Sequence, residues 1–353
     1  MKFGFGSSAE KNGIPHIERI APTAAIPGGE MTIRGRGFVS RAQQARPVVR
    51  FGEAEASLSL ASESRLIARV PEGASGGTVR VASAGQESSP HPVHIGIQIA
   101  DNLHPVANPA VDHEGNIYVT FSGPRGQRVP VSLYKITANY DVKPFLTSLV
   151  NPTGLALDME GNLFVSCRND GTIHRVTPDG RSEQWIEGMG IATGIAFDRV
   201  GNLYVGDRSG TIFKISPSRE IFVFATLEPS VAAYHLAFHP NGDLHVSGPT
   251  TSSFDRLYRV TPGGDVSVFF RGLGRPQGLA FDRDGNLFVA ASYRGWRGIV
   301  RIDAEAHAEM ALSGSGLVGL ALQSSGRAIL ATSGALFTLD WDVRGLPLVG
   351  LSP

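Results

Sequence analysis

Residues 151–180 read NPTGLALDMEGNLFVSCRNDGTIHRVTPDG, and this stretch decides the fold. It returns in register along the chain: VANPAVDHEGNIYVTFSG from Val106, IATGIAFDRVGNLYVGDRSGTIFKI from Ile191, AAYHLAFHPNGDLHVSG from Ala232, RPQGLAFDRDGNLFVAAS from Arg275 and LVGLALQSSGRAILATSG from Leu317. The turn glycines Gly115, Gly161, Gly201, Gly242, Gly285 and Gly326 are separated by 46, 40, 41, 43 and 41 residues. A period near 40 built from short alternating strands signals a radial or stacked β-repeat. Within one copy, residues 154–157 form the innermost strand. Residues 163–166, 172–176 and 183–186 follow as the second, third and fourth. Four antiparallel strands make a propeller blade, and six copies predict a six-bladed ring over residues 95–353. The last copy lacks a clear fourth strand after Asp340, and residues 95–100 stand where one is needed. We expect them to close the ring and remove an open edge; the alternative is the C-terminal LPLVGL from Leu346.

Residues 14–94 differ from the repeats. Short alternating runs (Met31, Ile33; Val49, Phe51; Leu66, Ala68, Val70; Val79, Val81) between Gly, Pro and Ser clusters predict a small β-sandwich of six or seven strands. The fold class is therefore all-β, an immunoglobulin-like sandwich followed by a propeller. Residues 1–13 are polar and Gly-rich and are expected to be a flexible tail.

Composition narrows the function. Net charge is zero, which disfavours nucleic acid or an anionic membrane as partner. Cys167 is the one cysteine, so neither an intrachain disulfide framework nor a cysteine metal cluster is available; it reads as structural. The N-terminus has no apolar run resembling a signal peptide, so a cytoplasmic monomer is expected, or an extracytoplasmic one if the N-terminus is truncated.

The sandwich segment resembles the IPT/TIG immunoglobulin-like family through Ile20 and Pro22, Gly28–Gly29, Ile33, Gly35, Gly37 and Phe38, then Phe51–Gly52, Val70–Pro71, Gly77, Thr78 and Val79. The resemblance implies a spacer or contact module without chemistry. The repeats, with their recurring GLAFDxxGNLYV, resemble NHL-repeat propellers and, more distantly, the regucalcin/gluconolactonase (lactonase-like) propellers.

Loops between second and third strands vary most, from 9 to 17 residues counted from the turn Gly, so this face is expected to be functional. Its centre is marked by the residue before each inner-strand Gly or its equivalent: Ala107, Thr153, Thr193, His235, Gln277 and Val318. The lactonase resemblance implies a Glu, Asn and Asp around a divalent metal. Here the Glu position is Ala107 and the ring holds no acid, which argues against a metal and against lactone hydrolysis. Asn108, Asn151 and Asp207 lie nearby as possible oxygen donors, and Arg168 is a further candidate for ligand binding. No cofactor is expected, Ca²⁺ being the alternative. The fifth-blade stretch ASYRGWRG brings Tyr293, Arg294, Trp296 and Arg297 together, residue types common at binding hot spots. Arg125, Arg128, Phe254, Asp255 and Arg256 extend that rim, suited to a protein segment, a sugar or a small carboxylate. The expected function is non-enzymatic binding on this face, with the sandwich as spacer or second contact. The alternatives are a lactonase-like hydrolase with a rearranged metal site and a ring-opening lyase using His235. Asp112, Asp158, Asp198 and Asp282 of the DxxGN turns are expected to cap their own turns. Two motif matches lack their context: Gly73-Ala-Ser75-Gly-Gly77 has no following helix, and Gly314-Ser-Gly316-Leu-Val-Gly319 leads into a strand.

Overall fold

A computed structural model describes residues 14–39 and 46–348; the expected tail over residues 1–13 lies outside the described residues. Among these, only strands form regular elements, and no helix is long and apolar enough to cross a membrane. Contacts divide the chain into two units, Met1–Ile95 and Gly96–Pro353.

In the first unit six longer strands neighbour one another in the order His16–Ala21, Glu30–Arg36, Arg65–Arg69, Ala54–Ala61, Val48–Phe51, Thr78–Ser83. Four two-residue strands are additional to the expected six or seven. Alternation places Met31, Ile33, Val49, Phe51, Leu66, Val79 and Val81 inside at zero exposure, with Phe38 among them. Gly35 is required where the first strand crosses: a Cβ there would meet the His16 carbonyl oxygen and the Phe38 ring.

The second unit is the propeller. Blade 2 shows the pattern: Pro152–Leu157, Leu163–Cys167, Thr172–Val176 and Ser182–Ile186, each antiparallel to the next. Among the described residues, five blades are separate four-stranded sheets where six were expected. The fifth repeat supplies its four strands, Leu279–Phe281, Leu287–Tyr293, Trp296–Ile302 and Ala308–Ser313, to a larger sheet. The sixth blade consists of Leu317–Leu322, Arg327–Thr332 and Leu336–Asp340, completed by Ile97–Ala100, which pairs antiparallel with Leu336–Asp340 through Ile97↔Thr338 and Ala100↔Leu336. The earliest strand of the unit thus closes the ring. Leu346 to Leu348 of the competing C-terminal segment form no strand, and its remaining residues lie outside the described ones.

The GLAF motif has a packing reason. Inner-strand side chains alternate between the two neighbouring blades. In blade 2, Leu155 and Leu157 join the cluster shared with blade 1. Ala156 joins the cluster shared with blade 3. The face toward the next blade must be small because backbones nearly touch there. A Cβ on Gly154, Gly194, Gly278 or Gly319 would fall 2.4, 2.3, 2.6 or 2.5 Å from a backbone atom of the next blade. Hydrogen bonds from Gly194 N to Tyr234 O (2.9 Å) and Gly278 N to Val318 O (3.0 Å) cross between blades at that level.

Aromatic rings on the second strands fasten the blades. Phe164 meets Trp185 at 5.0 Å and Phe197 of blade 3 at 4.9 Å; Tyr204 meets Phe224 at 4.9 Å and Phe238 of blade 4 at 5.0 Å. In blade 4 the same register holds His245, which meets Phe269 at 4.7 Å and Phe281 at 4.9 Å. The turn aspartates act as caps. Asp158 Oδ1 accepts from Glu160 N (3.0 Å) and Asn162 N (2.7 Å), and Oδ2 from Asn162 Nδ2 (2.9 Å). Asp112, Asp198 and Asp282 repeat this arrangement.

Candidate functional site

Because the inner strands converge at their glycines, the open volume lies on one side of that level. A cavity of about 790 Å³ runs from Gly154, Gly194 and His235 down the inner strands to the DxxG turns, reaching Asp112–Gly115 and Ser324–Ser325. It therefore opens toward the turn face, not toward the variable loops. Its walls are the motif residues themselves, including Leu155, Ile195, Phe197, Leu236, Phe238 and Phe281. At the mouth stand Leu346, Pro347 and Leu348 of the C-terminal segment. That segment is tied across the turns by Arg283 N to Arg344 O (2.8 Å) and Gly345 N to Gln323 O (3.0 Å).

Of the ring residues, Ala107 and His235 line this cavity, and His235 is the polar one. It is buried, and burial pushes its pKa down to about 4, so the imidazole is neutral at physiological pH. A neutral imidazole can donate one hydrogen bond and accept another.

The other ring residues have structural duties. Thr193 Oγ1 donates to Gly206 O (2.8 Å) and accepts from Tyr234 N (3.1 Å), and Thr153 Oγ1 donates to Asn151 O (3.3 Å). Both threonines are 1% exposed. Gln277 is half-buried, and its carbonyl accepts from Ser247 Oγ (2.5 Å). Ala107 and Val318 bring no polar side chain.

The proposed oxygen donors are similarly engaged. Asn108 of blade 1 ties blades 5 and 6, donating from Nδ2 to Leu279 O (2.8 Å) and accepting at Oδ1 from Leu320 N (3.1 Å). Pro109 follows it and has no N–H for the ladder, so the inner strand of blade 1 shrinks to Ala110–Val111. Asn151 binds the first-blade loop, accepting from Gly126 N (2.7 Å) and donating to Gly123 O (2.8 Å) and Pro124 O (3.0 Å). Asp207, 6% exposed, accepts from Ile191 N (2.8 Å) and from Ser209 Oγ. The fit of a divalent metal to this set is poor: one carboxylate, already bonded, and two amides that join blades or loops. Among the described residues, the one trio of acidic and His side chains close enough to share an ion is Asp303, Glu305 and His307, in an exposed turn outside the cavity lining.

On the variable-loop face, the expected fifth-blade loop is a hairpin. Tyr293 pairs with Trp296 around a two-residue turn, Arg294–Gly295, with φ of 49° and 84°. Positive φ at both positions is the turn geometry that matches strand twist. The extra length goes into longer strands. Arg294 lies over the Tyr293 ring at 5.1 Å, Trp296 is half-buried, and Arg297 is exposed. Asp255 of the rim is 1% exposed and accepts from Thr250 N and Oγ1 (both 2.8 Å) and Arg275 N (3.2 Å); Arg256 pairs with Glu228 at 3.4 Å, and Phe254 is 71% exposed. Arg128 is exposed. Cys167 is buried, and burial pushes its thiol up to about 12, which suits a structural role.

Arg168 follows the second strand of blade 2, and Arg208 holds the same register in blade 3. Sequence reasoning singled out the first and missed the second. The signal was the repeat itself, SCR in one copy and GDR in the next.

Residues 15–92 match the model of the IPT/TIG domain family. They are an IPT/TIG domain. A search of curated proteins gives no significant match. Solved structures similar in fold include a protein provisionally classed as a gluconolactonase, at 17% identity and TM-score 0.59, covering 72% of this chain and 94% of that one. A gluconolactonase from Xanthomonas campestris is similar at 16% identity and TM-score 0.55, covering 72% and 90%. An auxiliary nutrient binding protein from Bacteroides thetaiotaomicron is similar at 11% identity and TM-score 0.54, over 93% of this chain and 98% of that one. At these identities the likeness shows the fold alone, a β-propeller.

Proposed function

We propose that the protein is a non-catalytic binding protein whose propeller receives a small ligand in the central cavity, with the IPT/TIG domain as spacer or second contact module. The cavity carries this reading. About 790 Å³ is within the range of small-molecule sites. Along the inner strands its walls are apolar and aromatic, with neutral His235 placed to orient a hydrogen-bonding group, and at the turn end Asp112, His113, Glu114, Arg283 and Arg327 add polar and charged groups. Such a lining suits a ligand with an apolar face, as a sugar ring presents to Phe rings, better than a folded partner. The absence of a carboxylate set among the ring residues weighs against the lactonase-like alternative, since nothing there would hold the metal. The nutrient-binding relative is a precedent for binding on this fold, without bearing on the ligand.

The test is a thermal melt against a panel of sugars, small carboxylates and lactones, with lactone turnover followed in the same samples. We expect stabilisation by one chemical class, abolished in His235→Leu, and no turnover. Lactone turnover that disappears in His235→Leu would make the protein a hydrolase; a panel without any shift would leave the cavity without a ligand.

A further inference from the structure

The variable-loop face carries a separate feature, three arginines from three successive blades. Arg168 and Arg208 occupy the same register, immediately after the second strands Leu163–Cys167 and Leu203–Asp207. Their main chains are anchored alike, Arg168 N donating to Asn151 O (3.1 Å) and Arg208 N to Ile191 O (3.3 Å). Arg125 lies on the first-blade loop, which Asn151 draws against blade 2 through Gly123, Pro124 and Gly126. A Cβ added to Gly126, next to Arg125, would lie 3.6 Å from Asn169 Oδ1, next to Arg168. The loops bearing these two arginines are therefore in contact.

Their charges are not matched by acids. Among the described residues none of the three forms an ion pair. Arg168 Nη2 reaches only the Gly123 carbonyl at 3.4 Å, and its Nε is buried without a partner. Arg208 donates to the carbonyls of Ser230 (3.4 Å) and Val231 (2.9 Å). Asp207, the nearest acid in sequence, is turned into its own loop by Ile191 N and Ser209. Burial, then Arg208, then Arg125 lower the Arg168 pKa, and no carboxylate opposes them. A half-buried guanidinium among like charges, with an unbonded donor, is an unfavourable arrangement that an anion would relieve.

We infer that Arg125, Arg168 and Arg208 form an oxyanion-binding site on the variable-loop face, for a phosphate or carboxylate group of a small ligand. Guanidinium forks match both groups in geometry. This site does not depend on the cavity reading, since it lies on the opposite face and shares no lining residue with it.

The experiment titrates the full-length protein with inorganic phosphate, citrate and sodium chloride at matched ionic strength, reading the melt and, separately, binding heat. We expect a saturable rise with phosphate or citrate but not with chloride, and the stronger of the two assigns the source as phosphoryl or carboxylate. Each of Arg125→Gln, Arg168→Gln and Arg208→Gln should weaken binding by about tenfold or more, the loss expected for a charge-assisted hydrogen bond. Arg125→Gln alters an exposed side chain, so its effect is read without risk to folding. Arg181→Gln, at an exposed arginine paired with Asp179 outside the cluster, should bind as the parent does. Equal responses to phosphate, citrate and chloride overturn the proposal, as does parental binding in all three cluster variants.

Discussion

His245→Phe should make the protein more stable at neutral pH and more resistant to acid. His245 is 3% exposed, and both ring nitrogens are buried without partners. Removing a buried unsatisfied polar atom relieves roughly 1–3 kcal/mol. Phenylalanine suits the register, which is Phe164 and Phe288 in blades 2 and 5. The acid effect follows from linkage. Burial first, then His239, with Arg259 contributing and Asp243 opposing, pushes the His245 pKa down to about 3; burial alone takes His235 to about 4. Both are neutral in the folded protein, while the unfolded chain takes up their protons below about pH 6.5. Stability is therefore fully present above pH 6.5 and is lost as pH falls from there toward the folded values. Between pH 7 and pH 5 each histidine removes about 2 kcal/mol, and the pair about 4 kcal/mol. His245→Phe should halve that loss. Urea unfolding at pH 7, 6 and 5 measures it. A variant less stable than the parent at pH 7, or with an unchanged loss between pH 7 and pH 5, would show that His245 carries no such penalty.

Ring closure predicts that a chain beginning at Gly96 melts cooperatively, whereas one beginning at Asp101, without Ile97–Ala100, melts well below it or not cooperatively, as circular dichroism would record. Asp158→Ala removes three acceptor contacts from one turn and should lower stability by about 1–2 kcal/mol in urea, leaving ligand binding on the variable-loop face unchanged. Gly194→Ala sets a Cβ 2.3 Å from the Tyr234 carbonyl oxygen and should cost about 1–3 kcal/mol as overpacking, whereas Gly188→Ala, with no atom within 4 Å of the added Cβ, should cost only the strain of its φ of 87°. EDTA treatment followed by Ca²⁺, Mn²⁺ or Zn²⁺ should leave the melt unmoved; a bound ion at 100 times its dissociation constant would add about 2.7 kcal/mol, and a shift lost in Asp207→Asn would place the ion at Asp207, beside the ring.

The repeat made the blades legible because each is held by short-range rules. The Asp of DxxGN caps its own turn, and Gly and Ala of GLAF are small where the next blade presses. A missing fourth strand pointed to residues 95–100 for the same reason. The site was less legible because its polar groups are satisfied by distant partners. Asn108 looks like a free oxygen donor until Leu279 and Leu320 appear on either side of it, 171 and 212 residues away. Thr193 looks like a channel residue until the Gly194–Tyr234 contact brings its hydroxyl to another blade. The side on which the channel widens depends on how closely six backbones converge, which no single copy encodes. ASYRGWRG resembled a loop because two residues suffice to turn a hairpin, and the remaining length extended the strands.

The pairing of Ala100 with Leu336 also bears on how the chain is made. The strand that finishes the ring emerges from the ribosome first and its partner nearly last, about 236 residues later. At roughly 5–20 residues per second, that is an interval of about 10–50 s. Over that time blades 1 to 5 can stack on one another, but blade 1 has no neighbour on its outer side, and residues 97–100 remain an unmatched β-edge. Bringing the two ends together then carries a loop-closure penalty that grows as (3/2)RT ln n, about 5 kcal/mol for a flexible chain of this length. Blades already stacked into an arc hold the ends near each other and remove most of it. Nascent chains should accordingly be most prone to aggregation and most in need of chaperones just before the sixth blade is synthesised.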